Sequence, residues 1–219
     1  MFRLGLCCIF REAPIRFRRT TATAMAKLQP ADRRQRLADI CRHNADSLAD
    51  ALAFCRDAGI GAFRINSQIL PLFTHPELGY AISDLPAHKG IVDGFRQCGE
   101  FARKHDIRTS FHPDQFVVIA SPRADVRRKS VNELAYQATV ATWVNADAIN
   151  IHAGGTYGDK PKSLKRLVAA IKELPPIIRS KLTLENDDRC YTPADLLPVC
   201  RETGVALTYD VHHHGCLPD

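Results

Sequence analysis

No stretch of this chain is apolar for anything near the roughly 20 residues that a membrane-spanning helix needs. The longest candidate, Leu4 to Phe10, is short and runs straight into charged residues, so the chain reads as a soluble protein with no membrane partner. Cysteine is not scarce: Cys7, Cys8, Cys41, Cys55, Cys98, Cys190, Cys200 and Cys216 are present. No C-x-x-C pair occurs among them, however, and most fall inside apolar periodic segments, the pattern of buried free thiols in a reducing compartment. Also missing is a glycine-rich fingerprint after the first β-rich run. Leu6-Cys7-Cys8-Ile9 offers no phosphate cradle, which weakens a nucleotide-binding Rossmann reading.

What is present is enough to bury a core: 219 residues, 45% of them of apolar type. The formal net charge is +6, with basic clusters at Arg16 to Arg19, Arg123 to Lys129 and Lys160 to Arg166. Such clusters favour a polyanionic partner, although a merely solvated surface gives the same count. The Arg- and Thr-rich segment Arg11 to Lys27 could pass for a targeting peptide. It reads instead as part of the domain, because Leu4 to Phe10 already reads as a strand.

Six short apolar or β-rich runs are predicted as strands: Arg3 to Phe10, Gly61 to Asn66, Arg108 to His112, Ala146 to His152, Lys181 to Glu185 and Val205 to Asp210. Between them lie helical stripes. Leu37, Cys41, Leu48, Leu52 and Cys55 form one that stops at Gly59, and Ile91, Phe95, Cys98 and Ala102 a second. Val131, Leu134, Ala138 and Ala141 form a third, and Leu164, Leu167, Val168, Ile171 and Leu174 a fourth ended by Pro175-Pro176. A brief fifth follows Thr192-Pro193, an N-cap followed by the first helical residue. The order β-α repeated predicts an α/β fold with parallel strands, doubly wound or closed as a (β/α)8 TIM barrel. A barrel takes about 250 residues, so the expectation is one partial TIM-barrel domain over residues 1–219, truncated after its sixth strand and lacking the last two βα units.

Side chains at the C-terminal ends of barrel strands share one rim, where active sites are assembled. Here the third strand ends Ser-Phe-His112-Pro, the fourth Ile-Asn-Ile-His152-Ala-Gly-Gly, the fifth Leu-Thr-Leu-Glu185-Asn-Asp and the sixth Thr-Tyr-Asp210-Val-His-His213-His. One such residue would be an ordinary hydrogen-bonded group; four in register, in a chain with nine histidines, point to metal ligands. Imidazole mixed with carboxylate suits Mn²⁺, Zn²⁺ or Fe²⁺ better than Mg²⁺ or Ca²⁺. A carboxylate such as Glu185 can bridge two ions about 3.5–4 Å apart, the arrangement that hydrolyses phosphodiesters. The run His212-His213-His214 reads either as a solvated tract or as a donor placed by its short separation from Asp210.

Taken together, Phe63-Arg-Ile-Asn-Ser67, His112-Pro-Asp-Gln115-Phe116, Asn150-Ile-His152-Ala-Gly-Gly155, Leu184-Glu185-Asn186-Asp187 and Asp210-Val-His-His213 resemble the UV-damage endonucleases, in order and spacing, over nearly the whole chain. The resemblance implies a metal-dependent TIM-barrel enzyme that nicks damaged double-stranded DNA immediately 5′ of cyclobutane dimers and 6-4 products, and often at abasic sites, starting an alternative excision repair in the cytoplasm. It needs no obligate protein partner. By resemblance the metal ligands are His112, His152, Glu185, Asp210 and His213, with manganese as the ion expected first and zinc as the second. Glu185 and His75 are the catalytic candidates, and Gln115 and Phe116 enter the duplex where the damaged dinucleotide is extruded.

The residues themselves leave Phe116 open, since it also begins the apolar run Phe116-Val-Val-Ile119 and could be core. Many relatives carry Tyr at this position, and carry polar or aromatic residues where Leu6 and Phe10 stand. Their last two strands supply further ligands, namely a modified lysine, a histidine and a glutamate. Three other functions fit the same rim: a sugar isomerase or epimerase of the xylose-isomerase-like barrels, a non-catalytic damage-binding module, and an abasic endonuclease.

Overall fold

The computed structural model describes residues 2–219, which divide into two compact units. The first runs up to Phe111 and includes Thr139–Asp147; the second comprises His112–Ala138 and Ala148–Asp219.

In the first unit β1 (Gly5–Cys7), β2 (Ala62–Ile65) and β3 (Arg108–Phe111) pair parallel in sequence order, with Gly5 beside Ala62 and Ala62 beside Arg108. The two-residue period of β2 sends Phe63 and Ile65 into the core, both about 1% exposed, and turns Arg64 to the other face. A short helix α1 (Ala22–Ala26) precedes α2 (Pro30–Asp57), which opens with proline where a backbone donor is not needed and ends before Gly59 at φ 66°. The predicted stripe Leu37, Cys41, Leu48, Leu52 and Cys55 is its buried face. Helix α3 (His88–Lys104) buries Ile91, Phe95, Cys98 and Ala102 and packs against α2. At Gly99 a Cβ would lie 2.6 Å from the carbonyl carbon of Val144, so only glycine permits this approach.

The N-terminal run is extended only over Gly5–Cys7, shorter than Arg3 to Phe10, and beyond it Phe10 is buried edge-on against Phe54 at 5.4 Å. The segment after it is bound to α2. Asn44, fully buried, accepts from Arg18 N at 2.7 Å and donates to Arg18 O at 3.0 Å and Ile69 O at 2.8 Å, while Ser47 Oγ donates to Arg16 O.

Helix α4 (Ala124–Trp143) belongs to both units. In the second, β4 (Ala148–His152), β5 (Leu182–Glu185) and β6 (Ala206–Thr208) are again parallel in sequence order. They alternate with α5 (Lys160–Glu173) and α7 (Pro193–Thr203), the latter capped by Thr192 with Asp195 reciprocating. Pro175-Pro176 ends α5 as expected and also opens a further turn of helix, α6 (Pro176–Arg179), since proline is tolerated in a first turn. The histidine tract lies in a short helix, α8 (Val211–Cys216), with Asp210 as its N-cap. The register sets His152 beside Glu185 and Glu185 beside Thr208.

All eight cysteines are free thiols. Cys41, Cys55, Cys98 and Cys200 are buried, whereas Cys7 and Cys216 are exposed, so half rather than most of them are core. Burial pushes Cys41 and Cys55 up to about 11 and Cys98 up to about 12. Among the described residues no helix is long and apolar enough to cross a membrane.

Candidate metal centre

Glu185 closes β5 at 5% exposure, with a histidine on either side. Its Oε2 lies 3.4 Å from His112 Nε2, and its Oε1 lies 4.0 Å from His152 Nε2 and 3.4 Å from His213 Nδ1. Asp210 Oδ2 completes the cluster, 3.7 Å from His213 Nδ1. Two overlapping trios result, His112-His152-Glu185 and Glu185-Asp210-His213, each with its donor atoms within 4.8 Å of one another. Donors that share one ion at about 2.0–2.2 Å stand at such separations. Both trios use Glu185.

The remaining polar atoms separate ligand from support. Asp210 caps α8 by accepting from His213 N at 2.9 Å, and that backbone donor holds its carboxyl below the usual carboxylate range. Asn186, fully buried, accepts from Asp210 N at 2.8 Å and donates to Asp210 O at 3.0 Å, fastening the end of β5 to the turn after β6. Its own carbonyl stands 3.0 Å from His213 Nδ1; when Nδ1 donates there, Nε2 carries the lone pair. His152 Nδ1 is buried with no hydrogen-bond partner among the described residues. Mixed imidazole and carboxylate donors around a buried acid fit divalent ions of the manganese or zinc kind.

Beyond His112 the chain makes a tight turn in which Val117 N donates to Asp114 O at 2.9 Å and Phe116 N to Asp114 Oδ1 at 3.0 Å. Gln115 and Phe116 form its tip. Phe116 is 77% exposed while Val117 and Ile119 are buried, so the apolar run enters the core only after the aromatic ring. Arg166 ties the neighbouring loops together. It donates to Ala120 O at 3.1 Å and Ser163 Oγ at 2.7 Å, and its guanidinium lies 5.5 Å from the Tyr157 ring centre.

The model of the UV-endonuclease UvdE family matches residues 2–219. This chain belongs to that family. A UV DNA damage endonuclease of Bacillus velezensis is 34% identical over the whole chain, which covers 68% of that protein. A Bacillus cereus relative of the same name is 34% identical over 89% of the chain, and there the matched part is 61% of the relative. The crystal structure of SacUVDE superposes on the whole chain with a TM-score of 0.89 at 27% identity, and 72% of that structure is covered. More distant folds, a D-psicose 3-epimerase (TM-score 0.57, 14% identity, 78% of this chain and 61% of that one) and the Thermus thermophilus endonuclease IV (0.53, 19%, 76% and 58%), share the α/β barrel type alone.

The candidate site residues distribute unevenly over the two units. His112, His152, Glu185, Asp210 and His213, together with Gln115 and Phe116, all lie in the second unit; His75 lies in the first. There His75 Nδ1 accepts from Glu77 N at 3.2 Å and Leu78 N at 3.1 Å, which leaves the ring proton of a neutral imidazole on Nε2.

Part of the basic charge is spent internally. Arg16 donates to Phe10 O and Ala13 O, Arg127 to Ser121 O and Pro122 O, and Lys160 pairs with Asp195 at 2.7 Å. Charge counting missed this, since it does not distinguish a backbone-capping guanidinium from a free one. Sequence reasoning also assigned no role to Asn150, Thr183 and Thr208. The available signal was parity: each stands two residues before a candidate ligand, which for Asn150 and Thr183 means the same strand face.

Proposed function

We propose that this chain carries the metal centre of a DNA repair endonuclease that hydrolyses the phosphodiester immediately 5′ of ultraviolet photoproducts, cyclobutane dimers and 6-4 products, and also at abasic sites, opening an excision repair pathway on cytoplasmic DNA. The observation that carries the reading is Glu185, a buried carboxylate shared by two donor trios, beside a turn that presents an exposed aromatic ring.

His112, His152 and Glu185 would hold one divalent ion and Glu185, Asp210 and His213 another, Mn²⁺ first and Zn²⁺ second. When bound, such ions supply positive charge at the scissile phosphate and an activated water at neutral pH. The chain's own residues do the rest. Glu185 and Asp210 would offer carboxylate oxygens to hold that charge, and the surrounding imidazoles keep it fixed in place. Gln115 and Phe116 enter the duplex and replace the stacking lost when the damaged dinucleotide leaves, at a cost of a few kcal/mol that is lower where a lesion has already weakened the step. His75 Nε2 is the catalytic candidate for donating a hydrogen bond, its tautomer fixed by two backbone donors.

The exposed Phe116 supports a DNA duplex, whose bases it can stack on, over the small sugars handled by epimerases of the same barrel type. The test is a nicking assay on a duplex carrying one cyclobutane dimer, with Mn²⁺ or EDTA, on this chain, on Glu185→Gln and on a version extended to eight strands. A metal-dependent nick on the 5′ side that Glu185→Gln abolishes supports the proposal. Folded, metal-loaded protein that leaves the duplex intact in both lengths while turning over a ketose would replace it with the sugar isomerase.

A further inference from the structure

Beneath the metal ligands a line of polar side chains runs across three strands. Thr208 Oγ1 on β6 donates to Thr183 Oγ1 on β5 at 3.0 Å, Thr183 Oγ1 donates to Asn150 Oδ1 on β4 at 2.8 Å, and Asn150 Nδ2 donates to Glu185 Oε2. Each member stands two residues before a residue of the cluster: Asn150 before His152, Thr183 before Glu185 and Thr208 before Asp210. Period-two geometry therefore puts Asn150 and Thr183 on the face that carries His152 and Glu185, the parallel register sets these two side by side, and Thr208, beside Glu185 in the register, reaches Thr183 across the diagonal.

The direction of the line is fixed by chemistry. A carboxylate only accepts, so Asn150 must present its NH₂ to Glu185 and its carbonyl to Thr183. The Thr183 hydroxyl then has its proton committed and takes one from Thr208.

We propose that Asn150, oriented by Thr183 and Thr208, is the positioning residue of the centre: it sets the rotation of the Glu185 carboxylate so that each oxygen faces its own donors. With the amide held on Oε2, that oxygen stays toward His112 while Oε1 is turned to His152 and His213, at the distances given above. A carboxylate on a sheet without this restraint rotates about its last bond, whose torsional well is broad. The two trios would then not be ready at the same time. The inference rests on the metal reading of the cluster but not on the DNA reading.

The experiment is calorimetric titration of Mn²⁺ alone into metal-free protein, with the thermal melt of the metal-free protein recorded beside it. Outer hydrogen-bond partners of ligands characteristically contribute 10–100-fold in metal affinity. Asn150→Ala is expected to weaken Mn²⁺ binding at least tenfold. Thr183→Val, which keeps shape and removes only the hydroxyl, is expected to weaken it several-fold, and Thr183→Ser to restore it, with metal-free melting little changed for the two threonine variants. If the line only fastens the strands, melting falls while Mn²⁺ affinity stays within twofold of wild type, and the proposal is overturned. It is overturned equally if the wild-type chain binds no Mn²⁺. Protein that follows the predicted affinity series yet nicks no damaged DNA ends the nuclease reading and leaves this one standing.

Discussion

Asn44 on α2 and Glu185 on β5 are both polar and buried, and their surroundings are opposite in kind. Asn44 spends its amide on three backbone partners, at 2.7, 3.0 and 2.8 Å. Around Glu185, whose Oε2 accepts from Asn150 Nδ2, three imidazole nitrogens stand at 3.4–4.0 Å, longer than good hydrogen bonds, Asp210 Oδ2 stands 3.7 Å from the His213 nitrogen, and His152 Nδ1 has no partner among the described residues. A buried polar group that serves the fold is satisfied by the chain itself, because leaving it unmet costs about 1–3 kcal/mol. Groups left unmet in a cluster are tolerated where something outside the chain satisfies them.

The contrast can be broken most forcefully at Glu185. Glu185→Gln keeps the shape and the Asn150 contact but removes the charge that both trios share. Metal-dependent nicking should fall by about 10³-fold or more, read in single-turnover assays, while the circular dichroism spectrum is retained. Asn44→Ala should do the reverse. It strands the Arg18 and Ile69 backbone groups and should cost about 3 kcal/mol in urea unfolding with no change in Mn²⁺ affinity.

Phe116→Ala sharpens the same division at the surface. A side chain 77% exposed contributes little to stability, so unfolding should shift by no more than about 0.5 kcal/mol. Discrimination between damaged and undamaged duplex should drop about tenfold, and Phe116→Tyr should keep it.

The smallest effect concerns the thiols. At pH 8 iodoacetamide should modify Cys7 and Cys216 and spare Cys41 and Cys98, as read by peptide mass mapping. Because burial raises the folded-state values of Cys41, Cys55 and Cys98 above the ordinary 9.0, their contribution is present below pH 9. It is lost as the pH climbs through 11 to 12, so the urea midpoint should fall over that range.

Much of this was legible in the residues. Strands whose apolar positions alternate or run together gave the β-α order, four of them ending in His112, His152, Glu185 and Asp210 gave four candidate donors while His213 came partly from the resemblance, and the Asx turn explains why Phe116 leaves the core that Val117 and Ile119 join. Asn44 was readable too, since it interrupts the apolar stripe of α2 at a core position. The line Thr208-Thr183-Asn150 was not, because cross-strand neighbours depend on register, which no single segment encodes. Nor were the short helices α1, α6 and α8, whose few residues carry no periodic signal. The arginines that cap carbonyls rather than face solvent were hidden for a similar reason: their partners sit in loops whose path is set by packing.

The shared role of Glu185 is tested most directly by counting metal. Mn²⁺ bound per chain, measured by equilibrium dialysis with elemental analysis, should reach two for the wild-type protein and fall below one for Glu185→Ala, with the metal-free fold unchanged. Uptake that is absent from the wild type, or that Glu185→Ala leaves at the wild-type level, would contradict a centre built around that carboxylate.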